Sequence, residues 1–334
     1  MRRDEFRFDL PGELIAQHPA PRRDASRLFV LGAAGTRHLT FADIPELFGP
    51  GDLLVLNDTR VRPARLTGRR ATGGLFDVLL VRPLGNGRWE ALVGGRGKLR
   101  DGERLSFGAF EGTVTRAGKT WEVTVPPEAD LARLGRMPLP PYIRRARGGD
   151  PSDAADRERY QTVYAREEGA IAAPTAGLHF TPEILDRIRA AGAEIACVTL
   201  HVGPGTFRPL TAEQVEDHRM EPEPWRIPEA TAAAIRRARR VTAAGTTVTR
   251  TLEAAWGEGG VRAGEGETAL FITPGYRFRV VHRLLTNFHL PEGTPLLLTC
   301  AFGGTGRVLA ACREAVERRY RFFSYGDAML LDPG

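Results

Sequence analysis

The sequence predicts an α/β domain interrupted by a small all-β barrel. Three observations carry this. Helical and strand patterns alternate over residues 150–334, as they do where helices cover a sheet. Residues 61 to 127 instead hold short β-rich runs between Gly, Asn and Asp turn signals, with no helical period. The apolar run Leu53-Leu54-Val55-Leu56 ends abruptly in Asn57-Asp58-Thr59-Arg60, the pattern of a buried strand that opens onto polar groups. This gives a discontinuous main domain, 1–60 plus 150–334, and an inserted barrel domain, 61–149. The Pro-rich run Met137-Pro138-Leu139-Pro140-Pro141-Tyr142 leads back out of the insert.

In chain order, Arg27-Leu28-Phe29-Val30-Leu31 reads as a strand, and 53–60, ending in polar groups, as the next. The barrel strands are 64–66, 75–81, 89–93, 104–107, 112–115 and 121–125. Thr181-Pro182-Glu183 starts a helix over 181–191: a capping Thr, Pro in the first turn, then an acid near the positive helix end. A strand follows over 194–202. Thr211 and Gln214 form a capping box that predicts a short helix over 211–218. An Ala- and Arg-rich helix covers 228–239, a strand 241–247 and a helix 249–256. Strands are expected at 268–272 and 278–281. Thr294-Pro295 opens a helix that runs through 301. Val308, Cys312, Val316 and Tyr320 share one face of a helix over 306–320, and 322–331 is extended.

The totals narrow the class. A chain of 334 residues suits two domains, and 42% hydrophobic residues can fill their cores. No apolar run reaches membrane-spanning length, so no membrane association is expected. Met1-Arg2-Arg3-Asp4-Glu5 has no apolar segment behind it, so no secretory signal is read. Cys197, Cys300 and Cys312 form no C-x-x-C, which points to reduced thiols in a cytoplasmic protein. The formal charge is +6, and Lys98 and Lys119 are the only lysines. Arginine binds phosphate bidentately and stacks on bases, which suits a nucleic-acid partner. A plain compositional bias would give the same count.

Polar loops gather behind the strands. Ala172-Ala173-Pro174-Thr175-Ala176-Gly177-Leu178-His179-Phe180 delivers His179 to a helix start. Tyr160-Gln161-Thr162-Val163-Tyr164 precedes it. The glycines of His201-Val202-Gly203-Pro204-Gly205-Thr206-Phe207 let backbone approach a ligand closely. His218 and Glu223 flank a short helix. Gly245-Thr246-Thr247 ends a strand, with Arg250 and Glu253 beyond it. Thr286-Asn287-Phe288-His289-Leu290-Pro291 is a further loop. Any one histidine has a structural alternative, buried and hydrogen-bonded. Four of the seven in such loops predict a shared cleft. The absence of H-E-x-x-H argues against a metal, of G-x-G-x-x-G against a dinucleotide, and of G-x-S-x-G against a serine hydrolase. Gly303-Gly304-Thr305-Gly306 before a helix could cradle an anion, but a lone Gly-rich loop reads rather as a tight turn.

These strings, in this order, resemble the S-adenosylmethionine:tRNA ribosyltransferase-isomerase family of queuosine biosynthesis. Phe8-Asp9-Leu10-Pro11, Ile15-Ala16-Gln17-His18-Pro19, Asn57-Asp58-Thr59-Arg60-Val61 and Tyr320-Arg321-Phe322-Phe323-Ser324-Tyr325-Gly326-Asp327-Ala328-Met329-Leu330 extend the match over the whole length. The chain departs from the family pattern at His218-Arg219-Met220-Glu221-Pro222-Glu223, where Glu221 replaces a usual second histidine. It also departs in the barrel at Gly94-Gly95-Arg96-Gly97-Lys98.

The resemblance implies the following reaction. The ribosyl part of S-adenosylmethionine moves onto 7-aminomethyl-7-deazaguanine at the tRNA wobble position and is isomerised to give epoxyqueuosine. Adenine and methionine leave, and no metal or second cofactor takes part. The sulfonium acidifies the neighbouring carbon, so a histidine can act as the base. His179 and His201 are the two choices, and His218 is a further catalytic candidate. Asp58, Glu223, Glu253 and Asp327 are candidates to protonate adenine or offset charge on the sugar. Phe180, Phe207 and Phe288 are candidates to hold the sulfonium and stack on adenine, and Thr175, Thr206, Thr246 and Asn287 to bind ribose hydroxyls. Asn57, Arg60, Tyr164, Gly177, Gly203, Gly205, Thr247 and His289 complete the expected substrate contacts. Arg60, Arg144, Arg145 and Arg147 are expected on tRNA phosphates. The expected partners are S-adenosylmethionine and the precursor tRNA, and the protein is expected to be a monomer. Two rival readings stay open: an RNA-binding protein without catalysis, and an enzyme acting on a free nucleobase or small nucleoside.

Overall fold

The computed structural model of the chain describes residues 1–95, 97–146, 150–203, 205 and 210–334. The chain divides into two compact units. The first comprises Met1–Thr59, Thr162–Glu167 and Ala173–Gly334; the second comprises Arg60–Gln161 and Glu168–Ala172.

The first unit is built on a nine-stranded mixed sheet. Its strands are β1 (Arg27–Gly32), β2 (Gly35–Thr40), β3 (Asp52–Asn57), β4 (Glu194–Leu200), β5 (Glu223–Ile227), β6 (Arg240–Ala244), β7 (Gly264–Thr268), β8 (Arg283–Asn287) and β9 (Ala328–Leu331). Their order across the sheet is β7-β5-β4-β3-β6-β8-β9-β1-β2. β4, β3, β6 and β8 run parallel, with Cys197 beside Leu56 and Ala244 beside Leu285. β9 is antiparallel to β8 and parallel to β1, which sets Asn287 beside Ala328 and Ala328 beside Leu28. One edge therefore collects the C-terminal ends of β3, β4, β6 and β8 and the N-terminal ends of β1, β5 and β9.

Every residue of β3 is buried, because helices cover both faces. Leu53 and Val55 join the cluster that holds helices α2 (Glu229–Arg237), α3 (Thr246–Ala254), α4 (Thr294–Gly303) and α5 (Thr305–Glu317). Leu54 and Leu56 point the other way, to Phe180, Phe41 and helix α1 (Pro182–Ala190). The second unit is a closed six-stranded antiparallel barrel in the order Thr120–Thr124, Arg88–Gly95, Leu75–Gly85, Arg65–Arg69, Glu103–Ser106, Glu111–Ala117. Alternate positions fill it: Leu66, Val78, Leu80, Ala91, Leu105, Val114 and Val123 are buried. Among the described residues no single helix is long and apolar enough to cross a membrane.

Several expected elements form elsewhere or not at all. The helix over 211–218 shrinks to a three-residue turn, Val215–Asp217, because Val215 is its one buried anchor and its N–H goes to the carbonyl of Met1. The strand over 241–247 stops at Ala244. Gly245, at φ 106°, turns the chain and α3 begins at Thr246, three residues earlier than expected. The apolar run 278–281 is no strand: the N–H groups of Arg279, Val280 and Val281 donate to Glu253 instead of a neighbouring strand. Nor is 268–272 one, since β7 ends at Thr268. β8 was hidden because Arg283, Thr286 and Asn287 are polar yet buried. β2 and β5 escape the sequence reading because β2 is almost wholly exposed and β5 alternates polar residues. The helix expected over 306–320 runs from Thr305 to Glu317, and the extended end is a turn followed by β9.

Candidate active site

The shared sheet edge holds most of the polar residues singled out from the sequence. Thr175–His179 is a tight helical turn that buries His179 to 4% exposure. Its Nδ1 lies 2.7 Å from Ser26 Oγ, just before β1, and its Nε2 lies 3.2 Å from Asn287 Nδ2, at the end of β8. Phe41 stacks on the ring at 5.0 Å. Burial pushes the imidazole down to about 4, so it is neutral at pH 7. At the end of β4, His201 Nδ1 lies 2.8 Å from Thr59 Oγ1, and the ring is half-buried.

The carboxylates at this edge are committed to the fold. Glu223 accepts from the N–H of Gly203 at 2.9 Å and is ion-paired with Arg250, which also donates to the carbonyls of Leu270 and Thr268. Glu253, at the far end of α3, lies away from this edge, where the chain enters the N-terminal end of β8, and takes the backbone N–H groups of Arg279, Val280 and Val281 at 2.9–3.0 Å and the hydroxyl of Tyr276 at 3.3 Å. Asp327 accepts from the N–H groups of Arg27 and Arg321 at 3.0 and 2.8 Å. Asp58 accepts from Thr199 Oγ1 and Arg166 Nη2, both at 2.7 Å. Asn57 bridges β3 and β4: Oδ1 accepts from the N–H groups of Thr59 and Leu200, and Nδ2 donates to the carbonyl of Leu200. Such acceptors serve the backbone donors that strand ends leave unpaired.

A family model described as a queuosine biosynthesis protein matches residues 3–331. The chain belongs to that family. The S-adenosylmethionine:tRNA ribosyltransferase-isomerase of Anaeromyxobacter sp. (strain Fw109-5) is 56% identical over 99% of both chains. The protein of the same name from Citrifermentans bemidjiense is 54% identical over 98% of each. A crystal structure of an S-adenosylmethionine tRNA ribosyltransferase from Thermotoga maritima aligns with TM-score 0.56 and 36% identity, covering 98% of this chain and 99% of that one.

The remaining expected residues of this queuosine-family chain fall into three groups. Thr175, Gly203, Gly205, Thr246 and Thr247 are half-buried at the edge, and Thr247 Oγ1 is 3.5 Å from Asn57 Nδ2. Gly177 is required there, because a Cβ would sit 2.0 Å from Tyr164 Oη. That hydroxyl is buried without a hydrogen-bond partner, and burial raises Tyr164 well above its usual range. A second group turns out to be internal. Phe180 and Phe288 are fully buried among Phe41 and Tyr164, and among Phe29, Tyr320 and Phe322, so neither offers a ring face to solvent. His289 Nε2 pairs with Thr286 Oγ1 at 2.7 Å, and desolvation lowers it to about 4 although part of the residue reaches solvent. Half-buried His218 packs edge-on to Phe271, and burial and Arg219 lower its pKa. A third group is basic: Arg60 and Arg144 are exposed, whereas Arg145 is bound to Asp156 at 2.6 and 3.0 Å with a 9% exposed side chain. Thr206, Phe207 and Arg147 lie outside the described residues. Among the described residues no cluster of three His, Cys, Asp or Glu is placed to hold a metal ion. Ser26, 153 positions from its histidine partner, was not legible from sequence at all.

Proposed function

We propose that this protein transfers the ribosyl moiety of S-adenosylmethionine onto 7-aminomethyl-7-deazaguanine at the tRNA wobble position and isomerises it to epoxyqueuosine, with release of adenine and methionine. Membership of the queuosine biosynthesis family over residues 3–331 is the observation that carries this reading. The gathering of His179, His201, Gly203, Thr246 and Asn287 at one sheet edge agrees with it. The base is assigned to His201. His179 is buried and, near pKa 4, too weak a base. His201, half-buried at the same edge with Nδ1 2.8 Å from Thr59 Oγ1, is the histidine left to take a proton from the carbon next to the sulfonium.

Gly203, Gly205, Thr175 and Thr246 are assigned to the nucleoside, and Arg60 and Arg144 to tRNA phosphates. The wobble base must leave its stack to reach such an edge. The same reading makes the protein a cytoplasmic monomer that uses no metal or cofactor beyond its S-adenosylmethionine substrate. The test is incubation with S-adenosylmethionine, with and without precursor tRNA, following adenine release and the mass of the modified nucleoside. Adenine release that depends on tRNA and fails in His201→Ala is expected. Tight tRNA binding without adenine release, or turnover without tRNA, would overturn the reading.

A further inference from the structure

Asn287 closes β8 with only 2% of its surface exposed. Its Nδ2 lies 2.9 Å from the carbonyl of Phe323 and 3.2 Å from His179 Nε2, so both amide hydrogens are used. Its Oδ1 is buried and has no hydrogen-bond partner. Rotating the amide would not cure this, because it would set Oδ1 against the Phe323 carbonyl oxygen. That carbonyl also accepts from the N–H of Gly326 at 2.8 Å. Phe323 itself sits at φ 73°, a left-handed conformation that a bulky side chain rarely adopts. The chain thus carries backbone strain where it holds this amide, and such strain gathers at functional sites.

The hydrogen bonds behind Asn287 run in one direction. Ser26 Oγ donates to the carbonyl of Arg23 at 3.3 Å and accepts from His179 Nδ1–H at 2.7 Å. His179 Nε2 then has its lone pair toward the Asn287 amide. A neutral ring satisfies every step, and burial keeps it neutral. An imidazole donating on one side and accepting on the other holds the amide in orientation.

We propose that Asn287 is an acceptor-only recognition group for a single ribose hydroxyl of the nucleoside substrate, and that His179 and Ser26 are its positioning residues. This rests on the S-adenosylmethionine reading above. Two-point recognition of an adenine edge needs both the oxygen and the nitrogen of an asparagine, and here the nitrogen is committed. An ammonium group would bring a full charge to one neutral acceptor in a desolvated place, which costs far more than a hydroxyl.

The test uses the full-length enzyme with S-adenosylmethionine and its 2′-deoxy and 3′-deoxy analogues, reading kcat/KM for adenine release in the presence of tRNA. The wild type should reject one analogue by about 100-fold, because the missing hydroxyl leaves a buried acceptor unpaired. In Asn287→Ala that discrimination should fall to about threefold, with rejection of the other analogue kept. His179→Gln, whose amide oxygen can still accept from Asn287, should retain more discrimination than His179→Ala. Neither should move the pH profile of kcat. Ser26→Ala serves if Asn287→Ala fails to fold, and should lose at least about threefold of the discrimination. Full discrimination in Asn287→Ala, or in Ser26→Ala where that variant stands in, overturns the proposal, as does loss of the acidic limb of the profile in His179→Gln. If the wild type releases no adenine, the underlying reading fails instead.

Discussion

Arg250→Met isolates the buried ion pair that ties α3 to β5. The Arg250 and Glu223 side chains are 8% and 5% exposed, and Glu223 also holds the N–H of Gly203. Removing one partner leaves a desolvated carboxylate facing apolar atoms, and breaking such a pair costs about 3–5 kcal/mol. The carbonyls of Leu270 and Thr268 lose their donor in the same step. Against a typical total of about 5–15 kcal/mol, the single variant should stand near the edge of folding at 37 °C. Glu223→Gln/Arg250→Met removes both charges and should recover at least about 2 kcal/mol of that loss, because the unpaired charge is the larger part of it. Urea unfolding of the wild type, both single variants and the double variant gives the coupling. A cost below about 1 kcal/mol for Arg250→Met would show that the pair is wet and the reasoning wrong. Kinetics give a second check: Glu223→Gln should lose stability but keep turnover at a temperature where it is folded. A variant as stable as the wild type that releases adenine about 1,000-fold more slowly would make Glu223 a catalytic acid instead.

Other variants test further contacts. Glu253→Gln places an amide N–H against backbone donors and should cost about 2–4 kcal/mol in urea unfolding, since hydrogen bonds to a charged group contribute about 1.5–3 kcal/mol each. Gly177→Ala should destabilise by about 2–3 kcal/mol through overpacking, and Tyr164→Phe in the same chain should restore about half of it by removing the hydroxyl that the new methyl strikes. His179 is near pKa 4 when folded and about 6.5 when unfolded, so the unfolded state binds more protons between those values. Its contribution is fully present above pH 6.5 and is lost as pH falls, by up to about 1.4 kcal/mol per pH unit. Urea midpoints at pH 4.5, 5.5 and 6.5 should show this slope, and His179→Gln should flatten it. tRNA affinity should weaken with added salt, with a shallower slope after Arg60→Gln or Arg144→Gln; a slope unchanged in both would remove them from the phosphate contacts.

The parts of the fold legible in the sequence were those with a local cause. β3 announced itself because helices cover both its faces and its apolar run stops at Asn57. The barrel showed because its strands are punctuated by turn residues. β8 did not, since a strand that ends in Thr286-Asn287 looks like a loop until its burial is known. The run 278–281 misled for the opposite reason: it has strand-like side chains, but its backbone donors belong to Glu253. The site was legible as a set of loops and not as roles. Nothing local separates a carboxylate that protonates a substrate from one that receives three backbone N–H groups. The partnership of Ser26 with His179 and the left-handed Phe323 arise only from tertiary contact.

That difference also says where the ligand belongs. Strand ends and turns present backbone donors with no neighbouring strand to accept them, and a buried donor left so is costly. At this edge Asn57, Glu223 and Asp327 each take up such donors, which makes the edge rigid rather than reactive. Rigidity is what a site needs if it is to hold a nucleoside in one orientation through a rearrangement. On the reading proposed above, the polar atoms that this arrangement leaves unsatisfied are the candidates to meet the reacting partners. Among the described residues of the first unit these include Asn287 Oδ1, Tyr164 Oη and Thr162 Oγ1; Trp225 Nε1 in β5 and Arg283 Nη2 at the start of β8 are also unsatisfied but lie away from His179. Tyr164 and Thr162 both close on Gly177, two residues before His179, whose ring faces Asn287. Asn287, Tyr164 and Thr162 therefore adjoin one short turn, 175–179, at Gly177 and His179, while Asp58, Glu223 and Asp327 are already bound. Catalysis at this edge should accordingly depend more on hydroxyl, amide and imidazole groups than on a free acid.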